Sequence, residues 1–223
     1  MTAQITDQFV LRDQRYTIAG VKGNELFVPE NFGLEPFSLG SGCWRGYVCE
    51  YGLKDEHLVL ERLGISLGYY AEPEAELKAR RKFQDIEGPP INGVIPFKPT
   101  KPIDKIAGKK LIIHGILDQD CEYFNNAYKG LGLRINFTGG ILIGDGFIER
   151  LFVGMGFQPA WKYKMVMELS FVDGMMTEQR NVSHQIGELR QKMIKQRLEP
   201  DLKASKDELR TWIESAFSLD YDL

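Results

Sequence analysis

Between residues 9 and 180 the apolar positions mostly recur every second residue, the period imposed by a strand with one buried face. Phe9-Val10-Leu11 and Tyr16-Thr17-Ile18 flank the polar pair Asp13-Gln14, which predicts a hairpin. Gly20, Gly23 and Asn24 break the pattern before Leu26-Phe27-Val28, and residues 29–42, rich in Pro, Gly and Ser, read as an ordered loop. Tyr47, Cys49, Tyr51 and Leu53 then point one way, with Glu50 and Lys54 the other. Lys54-Asp55-Glu56 forms a turn, and Leu58-Val59-Leu60 with Leu63 and Ile65 makes a return strand or a bent pair of strands. A short exposed helix is expected over 73–82, where acids precede bases as a helix dipole favours. Pro89-Pro90 and the stretch from Pro96 to Pro102 bracket the apolar residues Ile91 to Phe97 and mark an insertion or hinge.

Strand patterns resume at Leu111-Ile112-Ile113 with Ile116-Leu117, at Leu131, Leu133, Ile135 and Phe137, at Ile141-Leu142-Ile143, and at Met165, Met167, Leu169 and Phe171. Residues 118–126 read as a polar turn and 145–152 as a short helix, while Asp173-Gly174 is a hairpin turn before Met175-Met176. Beyond residue 181 the period changes. Val182, Ile186, Leu189, Met193 and Ile194 share one helical face, with Ser183 as its N-cap and Pro200 as its stop. Ser205-Lys206-Asp207-Glu208 has the capping-box pattern, followed by the apolar stripe Leu209, Trp212, Ile213 and Phe217. The expected fold class is α+β, mainly β. Residues 1–180 form an antiparallel sandwich or barrel, and residues 181–223 a helical hairpin built from 183–198 and 205–219.

Sliding the chain along itself until Glu50 meets Glu168 also lays Val48 on Val166, Tyr51 on Leu169, Leu53 on Phe171 and Asp55 on Asp173. With small changes of offset, Trp44-Arg45 meets Trp161-Lys162, Leu26-Phe27-Val28 meets Leu151-Phe152-Val153, and Gly33-Leu34-Glu35-Pro36 meets Gly156-Phe157-Gln158-Pro159. Any two amphipathic hairpins share a period and turn chemistry. The ordered recurrence of these features nevertheless points to two related β units, half-repeats 9–70 and 128–180 around an insertion at 71–127. The motif Trp44-Arg45-Gly46-Tyr47 and the block running Phe147-Ile148-Glu149-Arg150-Leu151-Phe152-Val153-Gly154-Met155-Gly156-Phe157 resemble those of an uncharacterised family of bacterial proteins, over about Phe9 to Asp173. The family brings no activity with it. Its members often carry His before the Met-Gly-Phe, where this chain has Gly154, so no role for that His carries over, and the C-terminal helices lie outside the resemblance.

Composition narrows the partners. The chain of 223 residues is 43% hydrophobic and 26% charged, which suits a globular protein. With 28 basic against 31 acidic residues it has a net charge of −3, so neither nucleic acid nor an anionic membrane surface is an expected partner. No apolar run approaches the roughly 20 residues of a membrane-spanning helix. The first twenty residues carry Asp7, Arg12, Asp13 and Arg15 without an apolar core, so no secretory signal peptide is expected. Three cysteines, Cys43, Cys49 and Cys121, form no CxxC, which favours a reduced, cytoplasmic setting over a disulfide scaffold.

The chemistry on offer is sparse. Cys43 lies in Gly40-Ser41-Gly42-Cys43-Trp44-Arg45, where a neighbouring Arg lowers a thiol pKa, but no His is near it in sequence and a structural loop is the better reading. His57, His114 and His184 stand apart without metal-ligand spacing, and no phosphate-loop glycine pattern occurs, so the sequence implies no metal and no cofactor. Glu50 and Glu168, equivalent in the two units, either meet as a carboxylate pair for acid/base work or lie solvated on an outer sheet face. Trp44, Arg45, Tyr47, Trp161, Lys162 and Tyr163 are the residue types that dominate binding surfaces, at matching places in both units. The expected function is a non-enzymatic binding or scaffold protein whose partner is another protein or a second copy of itself. The alternative is an enzyme or sensor that takes a small molecule between the two halves, using Glu50, Glu168 or Cys43.

Overall fold

The computed structural model describes residues 2–38, 40–70, 83–99, 124–198 and 218–221. The chain is mainly β. Three two-residue hairpins set its local geometry. β1 (Gln8–Leu11) and β2 (Gln14–Gly23) join through Arg12 and Asp13, one residue earlier than the sequence pattern places the turn. β3 (Tyr47–Lys54) and β4 (His57–Ile65) join through Asp55 and Glu56. All four turn residues have φ between 52° and 62°, the left-handed pair that matches the twist of the flanking strands. Further along come β5 (Gly68–Tyr70), β6 (Phe83–Asp85), β7 (Asn126–Arg134), β8 (Gly139–Phe147), β9 (Tyr163–Val172) and β10 (Met175–Asn181). The β9–β10 turn is the expected Asp173-Gly174 at φ 49° and 81°. A Cβ on Gly174 would lie 2.5 Å from the Ile135 carbonyl oxygen, so both conformation and space demand glycine there.

Among the described residues eight strands form one mixed sheet in the order β10-β9-β8-β2-β1-β3-β4-β7, with β5 and β6 apart as a small pair. Every neighbour in the large sheet is antiparallel except β1 and β3, which run parallel from Gln8 beside Glu50 to Val10 beside Gly52. The sheet curls until β10, at one end, meets β4, next to the other end. Met175 of β10 pairs with His57 of β4, Leu58 N–H donates to the Gly174 carbonyl at 2.8 Å, and Met176 N–H donates to that of Glu56 at 2.9 Å.

The concave side is filled by a core that draws Phe9, Ile18, Tyr51, Leu60, Leu63, Tyr128, Ile143, Leu169 and Phe171 from strands far apart in sequence, with Phe137 from the connection between β7 and β8. Bulges make the two-residue period work. Glu61 is skipped in the β3–β4 register, so Leu58 and Leu60 before it and Leu63 and Ile65 after it all face inward. Ala19 is skipped in the β2–β8 register, and its methyl turns to the convex side. This is how β2 runs unbroken through Gly20 to Gly23, where the pattern suggested a break.

Over the convex side lies α1 (Ser183–Leu198), which packs on β9 and covers Ala19, Leu142, Tyr163 and Val166 with Val182 and Ile186. Leu189, Met193 and Ile194 continue that face half-buried. Ser183 does not cap the helix. Its hydroxyl accepts from Val166 N–H at 2.9 Å and so fastens the first turn to β9. No helix among the described residues is long and apolar enough to cross a membrane.

Other expectations need correction. No helix forms over 145–152: β8 continues to Phe147, pairing with β9 at Tyr163, and only Glu149–Leu151 makes a single 3-10 turn. Residues 91–97 are held against the sheet: Ile91 is buried in the core and Phe97 exchanges two 2.9 Å backbone hydrogen bonds with Ala127. The helix expected over 73–82, the strand over 111–117 and most of the second C-terminal helix, with Trp212 and Phe217, lie outside the described residues. Ser218 to Tyr221 are not helical. Leu219 lies alongside β2, where Val21 N–H donates to its carbonyl at 2.8 Å.

Tyr128 is fully buried, and its hydroxyl donates to the Pro89 carbonyl at 2.8 Å. Burial, with the nearby Glu87 charge, pushes its ionisation up to about 12 from the usual 10. The unfolded phenol releases its proton first, so this group's contribution to stability is intact below about pH 10 and is lost as the pH rises towards 12. Urea unfolding across that range should show a falling unfolding free energy. Tyr128→Phe should start about 1 kcal/mol lower, from the lost hydrogen bond, and fall less steeply.

Candidate functional site

At the end of the curled sheet where β2 finishes and β3 begins, a cavity of about 550 Å3 opens to solvent. β2 contributes Val21 and β3 contributes Tyr47 and Tyr51, while the loop after β2 adds Leu26, Phe27 and Val28 and the tail residues 219–220 close one side. The local sequence explains the split. Strand residues of alternating polarity aim apolar side chains inward, and the Pro29–Phe32 3-10 turn holds the loop across the opening with Phe27 stacked on Phe32 at 5.3 Å.

The floor is ionic. Asp7, just before β1, is buried, and one of its carboxylate oxygens accepts from both the Arg45 guanidinium and Cys49 N–H, the latter at 2.7 Å. Arg45 also donates through Nε to the Tyr47 carbonyl at 2.9 Å and lies 4.6 Å over the Tyr47 ring. Burial opposes its charge, but the Asp7 carboxylate outweighs burial and holds the guanidinium above its ordinary range. The phenols of Tyr47 and Tyr51 are driven up by burial. At the rim stand three exposed carboxylates, Glu25, Glu30 and Asp220.

Arg45 and Tyr47 therefore meet in the cavity, while the other residues singled out from sequence are distributed elsewhere. Trp44 is 48% exposed beside them, its N–H donating to Gln4 Oε1 at 3.0 Å. Cys43 is buried, and its thiol donates to the Tyr47 carbonyl. Burial raises its pKa and Arg45 only partly offsets this, so it is not an activated thiolate. Trp161 is half-buried, and its carbonyl accepts from Arg190 of α1 at 2.7 Å. Lys162 is buried with its ammonium 2.7 Å from Gln158 Oε1, and Tyr163 is buried beneath α1 with its pKa raised by burial.

Glu50 and Glu168 do not meet. Both face the convex side, on strands kept apart by β1, β2 and β8 one way round the sheet and by β4 and β10 the other. Nor are they solvated. Glu50 is buried and accepts from Arg15 at 3.0 Å with Arg62 at 3.8 Å, and Glu168 is buried between Arg180 and the Tyr221 hydroxyl, the latter at 2.8 Å.

Sequence reasoning missed Asp7, Glu25, Glu30 and Asp220. Only Asp7 left a signal, a lone acid directly before an apolar strand. Arg45→Met should cost about 3–5 kcal/mol in urea unfolding, because it leaves the Asp7 carboxylate buried without its cation. The double change Asp7→Asn with Arg45→Met should lose less than Arg45→Met alone. A single-variant loss under about 1 kcal/mol would show the pair to be dispensable. No family model matches this chain, and no curated protein or solved structure matches it, so the site is read from its own chemistry.

Proposed function

We propose that this chain is a non-enzymatic binding protein that takes a small molecule into the cavity at the mouth of its curled sheet. The observation that carries this reading is the cavity. Its volume of about 550 Å3 falls within the ~300–1,000 Å3 of small-molecule sites, and its walls combine apolar side chains such as Leu26, Phe27 and Val28 with polar groups in about equal measure. Binding is favoured over chemistry because the floor groups are already consumed: Asp7 and Arg45 neutralise each other, and burial keeps the Tyr47 and Tyr51 phenols protonated at neutral pH. A reduced cytoplasm fits Cys43 and Cys49, free thiols in the interior.

The reading of two related β units has support in the sheet register. Glu50 stands opposite Arg62 across β3–β4, and Glu168 opposite Arg180 across β9–β10, so each unit carries a convex-side carboxylate facing an arginine on its hairpin partner. Under this reading the sheet is a closed barrel of two such units, and the cavity belongs to the mouth formed mainly by the first.

N-phenyl-1-naphthylamine, a neutral fluorophore that brightens in apolar surroundings, tests the binding reading. It should bind saturably, one molecule per chain. Leu26→Trp, which adds an indole to the cavity wall, should weaken it about tenfold or more while the melting temperature stays within a few degrees. Absence of saturable binding to the unaltered protein would overturn the proposal.

A further inference from the structure

The charges around the cavity are lopsided. Its lining holds four carboxylates, those of Asp7, Glu25, Glu30 and Asp220, and one cation, Arg45. The cation is spent, because its guanidinium contacts Asp7 directly on the floor. What remains towards solvent is three negative charges around an opening whose wall includes the aromatic and aliphatic side chains of Val21, Leu26, Phe27, Tyr47 and Tyr51. One Asp220 oxygen accepts from the Ser218 hydroxyl at 2.8 Å, while Glu25 and Glu30 have no ion-pair partner among the described residues.

Resting on the binding reading above, we propose that the ligand is an organic cation: an amine or quaternary ammonium carried on an apolar body about the size of one or two rings. The cavity selects the body and the rim selects the charge. The three carboxylates set a negative field across the opening, which attracts a cation and repels an anion. A neutral ligand gains nothing from that field, and an anionic one must work against it without a free guanidinium to meet it. An ammonium group at the rim also keeps part of its hydration, so it avoids the desolvation that a charge on the buried floor would incur. At about 7 Å in water each carboxylate is worth about a threefold change in affinity for a unit charge, so three together give a preference of more than tenfold between cation and neutral analogue.

Three probes that share one body separate the terms: 1-naphthylmethylamine, 1-naphthalenemethanol and 1-naphthoate, each competing with N-phenyl-1-naphthylamine. The amine should displace the fluorophore at more than tenfold lower concentration than the alcohol, and the carboxylate should be weakest. Raising the salt from about 0.02 M to about 0.5 M should compress the spread, as screening requires. Glu25→Gln with Glu30→Gln should weaken the amine about fivefold to tenfold and leave the alcohol unchanged. If the fluorophore binds but amine and alcohol compete equally, the charge assignment is wrong and the pocket stands. If the fluorophore itself does not bind, the pocket reading has failed first.

Discussion

The Asp7 carboxylate is the interaction on which the rest of the fold turns. Its backbone carbonyl accepts from Ile18 N–H at 2.9 Å on β2, and its side chain accepts from Cys49 N–H on β3 and from the Arg45 guanidinium just before it. One residue therefore ties three consecutive strands of the sheet at the seam where β1 and β3 run parallel. A parallel pair cannot be closed by a tight turn and depends on contacts made across the long connection between its strands. Here that connection runs from Arg12 to Gly46 and includes β2, and Asp7 with Arg45 fixes where it returns. A buried carboxylate is costly unless matched, and the match consists of a guanidinium and a backbone N–H held by the very strands being joined. The geometry that relieves the charge is thus the geometry of the seam.

The convex side follows the same logic with looser terms. Glu50 and Glu168 are both covered, but by arginines that stay partly in water: the Arg15 and Arg180 side chains keep 33% and 50% of their surface exposed. Pairs of that kind add little net stability. Their effect is on register, because each glutamate faces an arginine across its own hairpin and a one-residue slip would turn both to the wrong side. Tyr221 adds a further hold. It lies over Gly20 and Gly140, where a Cβ would come within 2.9 Å of its ring and 2.1 Å of its hydroxyl, and that hydroxyl reaches Glu168. The bare backbone at those two positions is what admits the tail to the sheet, and with it the Leu219 and Asp220 edge of the cavity.

What was legible in the sequence is what is local. The three hairpins, the inward parity of β3 and β9 and the face of α1 depend on residues within a turn or a pleat of one another, so period and turn chemistry reveal them. The bend in β4 was visible as two apolar runs out of phase, and its cause is the bulge at Glu61. The helix expected over 145–152 failed because pairing with β9 outweighed a locally amphipathic pattern. The parallel seam, the closure of β10 on β4 and the tail on β2 join residues with no sequence signal of proximity. For the site, Arg45 and Tyr47 stood out by residue type. Their partner Asp7 did not, because a carboxylate betrays burial only when its cation is known. Glu50 and Glu168 neither meet nor lie solvated, because their cover comes from arginines on other strands and from the tail.

The position of the cavity explains why binding and stability are separable here. Its floor belongs to the seam, so Asp7, Arg45 and Tyr51 are fixed by the demands of folding and offer a ligand a rigid surface with little free charge. Its rim belongs to the loop after β2 and to the tail, segments whose exposed side chains bear little of the core's burden. Substitution at Glu25, Glu30 or Asp220 alters the field at the opening without touching the seam, whereas substitution at Asp7 disturbs the seam before it reaches any ligand. A site built this way can change its ligand by changing its rim while the strands beneath keep the same register, and that division is set by the one parallel pair in an otherwise antiparallel sheet.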